Sequence, residues 1–147
     1  MAINYSALLV SDLDQIMILE PLLFEHPFSR EAYYYEIKHN PLAHYYKLTI
    51  ENEIIGYGGI QNILDEAHLM TIGIKKSYQK QGLGKILLKQ LIKEAKGLDC
   101  RSMILEVNVH NHGALHLYED CGFKITRTRP HYYGKDNAYE MRLDWSE

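Results

Sequence analysis

The segment Gln79-Lys80-Gln81-Gly82-Leu83-Gly84-Lys85 lies between a strand-like run ending at Ile74 and a strongly patterned helix. That helix, expected over Gly84–Lys96, places Leu87, Leu88, Leu91, Ile92 and Ala95 on one face at the 3.6-residue period. Gly82 and Gly84 let the backbone approach a ligand closely. The first helical amides have no internal partner and carry the positive end of the helix dipole. With Lys80 and Lys85 they make an anion site suited to a pyrophosphate, although two glycines before a helix also serve as a plain turn. The spacing is neither that of a Walker P-loop nor that of a G-x-G-x-x-G dinucleotide fingerprint.

The rest of the chain alternates helix and strand signals without repeats or a linker, which predicts one α/β (α+β) domain over residues 1–147. A strand is expected over Ile3–Val10, then a helix capped by Ser11 that Pro21 ends or offsets. Ser29 caps a second helix over Arg30–Lys38, which stops before Asn40-Pro41. Tyr45–Glu51, Ile54–Ile63 and His68–Ile74 read as an antiparallel meander, with a tight turn at Asn52-Glu53. Met103–Asn108 is a buried strand reached through a helix and so parallel to a neighbour. A short helix over Gly113–Asp120 stops at Gly122, and Phe123–Arg129 and Asn137–Trp145 complete seven strands.

Hydrophobic residues at 46% and charged residues at 24% of 147 exclude disorder and coiled coil. No apolar run approaches the roughly 18 residues of a membrane span. No Lys or Arg precedes Arg30, so no signal peptide is expected. Cys100 and Cys121 are too few for a disulfide framework and predict a cytoplasmic protein with free thiols. The net charge of −3 is unevenly spread. Residues 1–70 hold three basic and ten acidic residues, and residues 71–147 hold thirteen basic and nine acidic. Such halves suit a cationic and an anionic ligand respectively, or simply two solvated faces. A net acidic chain with no basic aromatic surface motif is not expected to bind nucleic acid. The stripe Lys85, Lys89, Lys93, Lys96 reads as the solvent face of its helix. His110, His112 and His116 lie close together, but they lack a Glu in the H-E-x-x-H position and a third ligand, so no metal is expected.

Ile72-Gly73-Ile74 followed by Tyr78 to Gly84 resembles the acetyl-CoA signature Gln/Arg-x-x-Gly-x-Gly/Ala of the GNAT superfamily of N-acetyltransferases, met by Gln79, Gly82 and Gly84. Leu105-Glu106-Val107 with Asn111, and Leu117-Tyr118-Glu119 with Gly122-Phe123, are similar to the family's next two motifs. The resemblance covers essentially the whole chain. It implies a mixed central sheet of about seven strands with helices on both faces, and two parallel strands that splay at mid-length to admit pantetheine. Gly73 would suit a bulge there. The diphosphate of acetyl-CoA, the co-substrate, would rest on the amides of Lys80, Gln81, Gly82, Leu83, Gly84 and Lys85, and a backbone N–H near Ile74 would polarise the thioester carbonyl. Glu106 would take the proton of the attacking amine and Tyr118 would protonate the departing thiolate. Asn111 would hydrogen-bond the pantetheine, cap a helix, or both.

Within the superfamily the chain resembles the ribosomal-protein-alanine N-acetyltransferase (RimI-type) branch. The likeness rests on His26-Pro27-Phe28-Ser29, Leu64-Asp65-Glu66-Ala67-His68-Leu69 and Arg129-Pro130-His131-Tyr132-Tyr133. It implies a basic N-terminal peptide of small-subunit ribosomal protein eighteen as acceptor, bordered by Phe28, His131 and Tyr132, with no membrane partner and a monomer or weak dimer. Phe28 stands where the branch often has Trp, and His131 where Asn is usual. Lys80 and Lys85 replace Arg, which keeps the charge without the bidentate fork. A small-molecule amine as acceptor, or an acetyl-CoA-binding module without catalysis, are the alternatives.

Overall fold

The computed structural model describes residues 2–145. Seven strands form one sheet: β1 (Ile3–Ala7), β2 (Ala43–Ile50), β3 (Glu53–Ile63), β4 (Glu66–Ile74), β5 (Ser102–Asn108), β6 (Lys124–Tyr133) and β7 (Asp136–Asp144). The helices are α1 (Leu13–Leu23), α2 (Arg30–Lys38), α3 (Leu83–Gly97) and α4 (His112–Asp120). The strand order is β1-β2-β3-β4-β5-β7-β6, and β4 with β5 is the one parallel pair among the described residues. A parallel neighbour needs a crossover, and α3 supplies it.

The sheet is covered on both faces, as the family resemblance implies. Leu87, Leu88, Leu91 and Ala95 of α3 pack with Met103, Leu105 and Val107 of β5 and with Tyr118 of α4 on one side. Leu13, Ile16 and Leu19 of α1 pack with Tyr33 of α2 and with Tyr45 and Tyr57 on the other.

Two helix boundaries depart from the sequence expectation. Ser11 does not cap α1. Instead Val10–Asp12 form a 3-10 turn, and Asp12 turns back to accept a hydrogen bond from the Leu9 N–H at 2.8 Å. Asp12 is also held by Lys47 at 2.6 Å with both side chains nearly buried, so it has partners that Ser11 lacks. Pro21 does not end α1, which continues to Leu23. So near a C-terminus a proline removes a single amide bond, and the burial of Leu19 and Glu20 carries the last turn.

The β4–β5 ladder covers only Glu66–His68 against Ser102–Ile104. Beyond it the two strands separate, as the sequence resemblance implies. From Leu69 to Ile74, β4 stays paired with β3 and turns an unpaired edge toward β5. The register break on this strand lies at Met70, between the Gly59–Thr71 and Ile60–Leu69 pairs. Gly73 is therefore not at the bulge expected there, since it pairs in register with Tyr57. Its missing side chain has another cause. A Cβ on Gly73 would meet the Phe24 ring at 2.7 Å and Leu23 at 3.2 Å, where α1 ends against the sheet. Gly73→Ala should cost about 1–3 kcal/mol by overpacking, a Tm lower by about 2–4 °C for each kcal/mol. Thermal unfolding of the two proteins measures it, and an unchanged Tm would show that α1 yields.

Candidate active site at the opened sheet

The mouth of the opening is built by the turn before α3. Lys80 (φ 63°) and Gly82 (φ 82°) both have left-handed backbone around Gln81, the kind of turn that gathers amides into a concave anion site. The first α3 hydrogen bond of this end runs from the Ile86 N–H to the Gly82 carbonyl at 3.2 Å, so the preceding helical amides point into the mouth unpaired. A Cβ on Gly82 would meet nothing within 4 Å, which marks open space above the turn. Lys80 is exposed, and Lys85 is half-buried with Asp120 3.7 Å away.

Several residues singled out from the sequence lie here with their side chains turned to the core or to neighbouring residues. The Leu83 and Ile74 side chains are core, so only their main-chain groups face the mouth. The Gln79 side chain turns inward and donates to the Ile74 carbonyl at 2.8 Å, tying the turn to the end of β4. Ile72, Gly73 and Ile74 form the free edge, opposite Gly58, Tyr57 and Gly56 of β3. Asn111 caps α4, its side chain accepting from the Ala114 N–H at 3.2 Å.

Glu106 lies past the split on β5. Its neighbours Leu105 and Val107 face the α3 side, so strand alternation turns Glu106 to the α1–α2 side. It is half-buried, and no ion pair among the described residues involves it. The cross-strand partner Glu140 is quite different. It binds Arg127 at 3.2 Å and Arg129 at 3.1 Å. Burial alone would raise its pKa, but hydrogen bonds from Arg129 and Thr126 and the charge of Arg127 hold it below the usual carboxylate range. Of the two facing carboxylates, Glu106 is the one left without a cation.

Tyr118 approaches from α4. It is 7% exposed, its ring packs on Phe123, and its hydroxyl forms no hydrogen bond among the described residues. Burial, with a smaller contribution from Tyr133, holds this phenol well above the usual tyrosine value, so it stays protonated at neutral pH. Tyr133 bridges the two sides, because its hydroxyl donates to the Glu106 carbonyl at 3.3 Å. Its ring also stacks on His26 at 6.2 Å, joining the α1–α2 loop to the β6–β7 hairpin.

Phe28 leans on Tyr33 with its ring partly exposed. Tyr132 is exposed beside Tyr133 and under the Arg129 guanidinium. Burial first, and then the Glu106 charge, raise the Tyr132 phenol. His131 occupies left-handed backbone (φ 55°), a conformation that suits Asn better than His. Its N–H donates to the Asn137 side chain at 3.0 Å. Tyr133 and Glu20 were not singled out in the sequence. Glu20 follows Ile16 at the i+4 spacing of a buried face, a carboxylate where an apolar residue is expected. Among the described residues no cluster of His, Cys, Asp and Glu could hold a metal ion.

A mixed sheet parted between two parallel strands, with an amide-lined turn at the start of the crossover helix, defines the acetyltransferase class of fold. The chain belongs to the acetyltransferase (GNAT) family, whose profile matches residues 13–123. It is 33% identical over 136 residues (92% of this chain, 89% of the relative) to a Bacillus subtilis (strain 168) protein provisionally named a ribosomal protein bS18-alanine N-acetyltransferase. It is 36% identical over 102 residues (67% and 69%) to the Escherichia coli (strain K12) ribosomal protein bS18-alanine N-acetyltransferase. The crystal structure of the Escherichia coli ribosomal-protein-S18-alanine N-acetyltransferase superposes with a TM-score of 0.90 at 29% identity, covering 99% of this chain and 96% of that one.

Proposed function

We propose that this acetyltransferase moves the acetyl group of acetyl-CoA directly onto the N-terminal α-amine of a basic peptide, that of ribosomal protein bS18. One observation supports the reading above the rest: a carboxylate without a cation, Glu106, and a protonated phenol, Tyr118, flank the place where β4 and β5 part. An α-amine has a pKa near 8 and must lose a proton before it attacks. Glu106 receives that proton, directly or through water. Tyr118 supplies one to the leaving thiolate. The amides from Lys80 to Lys85 hold the diphosphate, the free edge of β4 at Ile72–Ile74 pairs with the pantetheine, and Asn111 borders it through the side-chain NH2 left free by its cap. Phe28, His131 and Tyr132 line the acceptor side. The acidic N-terminal half suits a basic acceptor.

Intact-mass spectra of small-subunit ribosomal proteins incubated with the enzyme and acetyl-CoA test the acceptor. A single acetyl group on the N-terminus of bS18 is expected. No modification, with acetyl-CoA still bound or slowly hydrolysed, would overturn the acceptor and point to a small amine. Gly82→Ala tests the diphosphate site. An alanine there pays about 1–2 kcal/mol for the left-handed backbone, and its methyl group enters the open mouth. Calorimetric titration should find acetyl-CoA bound about tenfold more weakly, the ratio that 1.4 kcal/mol gives. Unchanged affinity would place the diphosphate elsewhere.

A further inference from the structure

The loop between α1 and α2, residues 24–29, is held by a carboxylate that the transfer chemistry does not use. Glu20 is 2% exposed. Its Oε1 accepts from the Phe28 backbone N–H at 2.9 Å. Its Oε2 accepts from the Tyr33 hydroxyl at 2.9 Å and from the Tyr57 hydroxyl. No ion pair among the described residues involves it. A buried carboxylate with no counter-ion is costly to desolvate, and Glu20 shares its buried helix face with Leu13, Ile16 and Leu19, which belong to the apolar cluster of Tyr33 and Tyr57. An apolar side chain would pack there at lower cost, so packing alone does not account for Glu20. What the carboxylate adds is three directed hydrogen bonds to α2, to β3 and to the loop.

The loop reaches across the candidate site. At its start the Phe24 ring lies over Gly73 on the free edge of β4 and edge-on to Tyr57. In its middle His26 stacks on Tyr133, which donates to the Glu106 carbonyl. At its end the Phe28 ring packs on Tyr33. Burial, and after it the Glu20 charge for Tyr33 and the hydrogen bond to Glu20 for Tyr57, keep both phenols protonated, so both remain donors to the carboxylate.

We propose that Glu20 is a positioning residue that sets the 24–29 loop over the acceptor side of the opened sheet, and so governs affinity for the acceptor more than for acetyl-CoA. This rests on the reading of the Glu106 side as the acceptor side. Two variants of the full chain test it. Glu20→Leu matches the apolar surroundings and removes every acceptor. Glu20→Gln keeps one acceptor oxygen where three donors converge, and should recover part of what Leu loses.

Hydrogen exchange needs no acceptor and reads the loop directly. In Glu20→Leu the Phe28 amide should exchange about tenfold faster or more, since a lost hydrogen bond of this kind is worth at least that ratio, while the amides of α3 and β5 stay within about threefold. With the bS18 N-terminal peptide, the acceptor KM should rise about tenfold while the acetyl-CoA dissociation constant and kcat stay within about twofold. Glu20→Gln should fall between wild type and Leu on both measures. Exchange that is unchanged at Phe28, or that accelerates evenly along the chain, would overturn the positioning role. So would an acetyl-CoA dissociation constant that rises in step with the peptide KM. A wild-type enzyme inactive on the peptide would instead refute the acceptor reading, with loop exchange still deciding the role of Glu20.

Discussion

Glu106→Gln is expected to lower kcat by about 10²–10⁴-fold, the usual contribution of a positioned general base. Glutamine has the same shape and leaves the strand pairing with β7 intact, so acetyl-CoA affinity and Tm should hardly move. Glu140, directly across the ladder, is engaged by Arg127 and Arg129 and held below the usual carboxylate range. Glu106 has no such partner among the described residues. In the variant the amine must reach the thioester already deprotonated, so kcat/KM should climb about tenfold per pH unit until the amine pKa near 8. Steady-state rates across pH measure both effects. Unchanged turnover would remove Glu106 from the chemistry and leave it a surface carboxylate on an alternating strand.

The parts of the fold that were legible in the sequence are those set by local rules. Ser29 and the Asn40-Pro41 stop bracket α2 at Arg30–Lys38, as expected from capping and proline alone. The 3.6-residue period of α3 and the parallel placement of β5 follow from equally local signals. What stayed hidden depends on contacts distant in sequence. Gly73 looked like a bulge residue, because a glycine in a strand commonly marks one. The observed reason is the Phe24 ring 49 positions earlier in the chain, and the bulge falls at Met70. Ser11 has the composition of a cap, but Asp12 also has Lys47 to pair with across the sheet. Glu20 carried a visible signal, an acidic residue on an apolar helical face. Its meaning needed Tyr33 and Tyr57, 13 and 37 residues away. Family motifs carried Glu106 and Tyr118 into view. Tyr133 escaped because the side chain at issue is one of two adjacent tyrosines, and the backbone bond to Glu106 that distinguishes it exists only once β6 folds back.

Tyr118→Phe separates chemistry from packing more sharply than any other substitution in the site. The Tyr118 side chain is 7% exposed in the core of α4 and β5, and its hydroxyl has no hydrogen-bond partner among the described residues. The Tyr118 oxygen is not one of the buried polar atoms left without a partner, so removing a hydroxyl that bonds no other residue should cost little stability. Turnover should nevertheless fall by about 10²-fold, the lower end of what a general acid contributes. Burial holds the phenol above its ordinary pKa, so the proton is present through the neutral range and is lost only in strong base. The wild-type rate should therefore show no decline from Tyr118 ionisation between about pH 6 and 10, where an ordinary tyrosine would begin to titrate. Thermal unfolding and steady-state kinetics on the same two proteins decide the matter. An unchanged or raised Tm with a hundredfold lower kcat and unaltered acetyl-CoA affinity identifies the phenol as the proton donor. A kcat that survives the loss of the hydroxyl would leave the ring as core, and the thiolate would then have to take its proton from water.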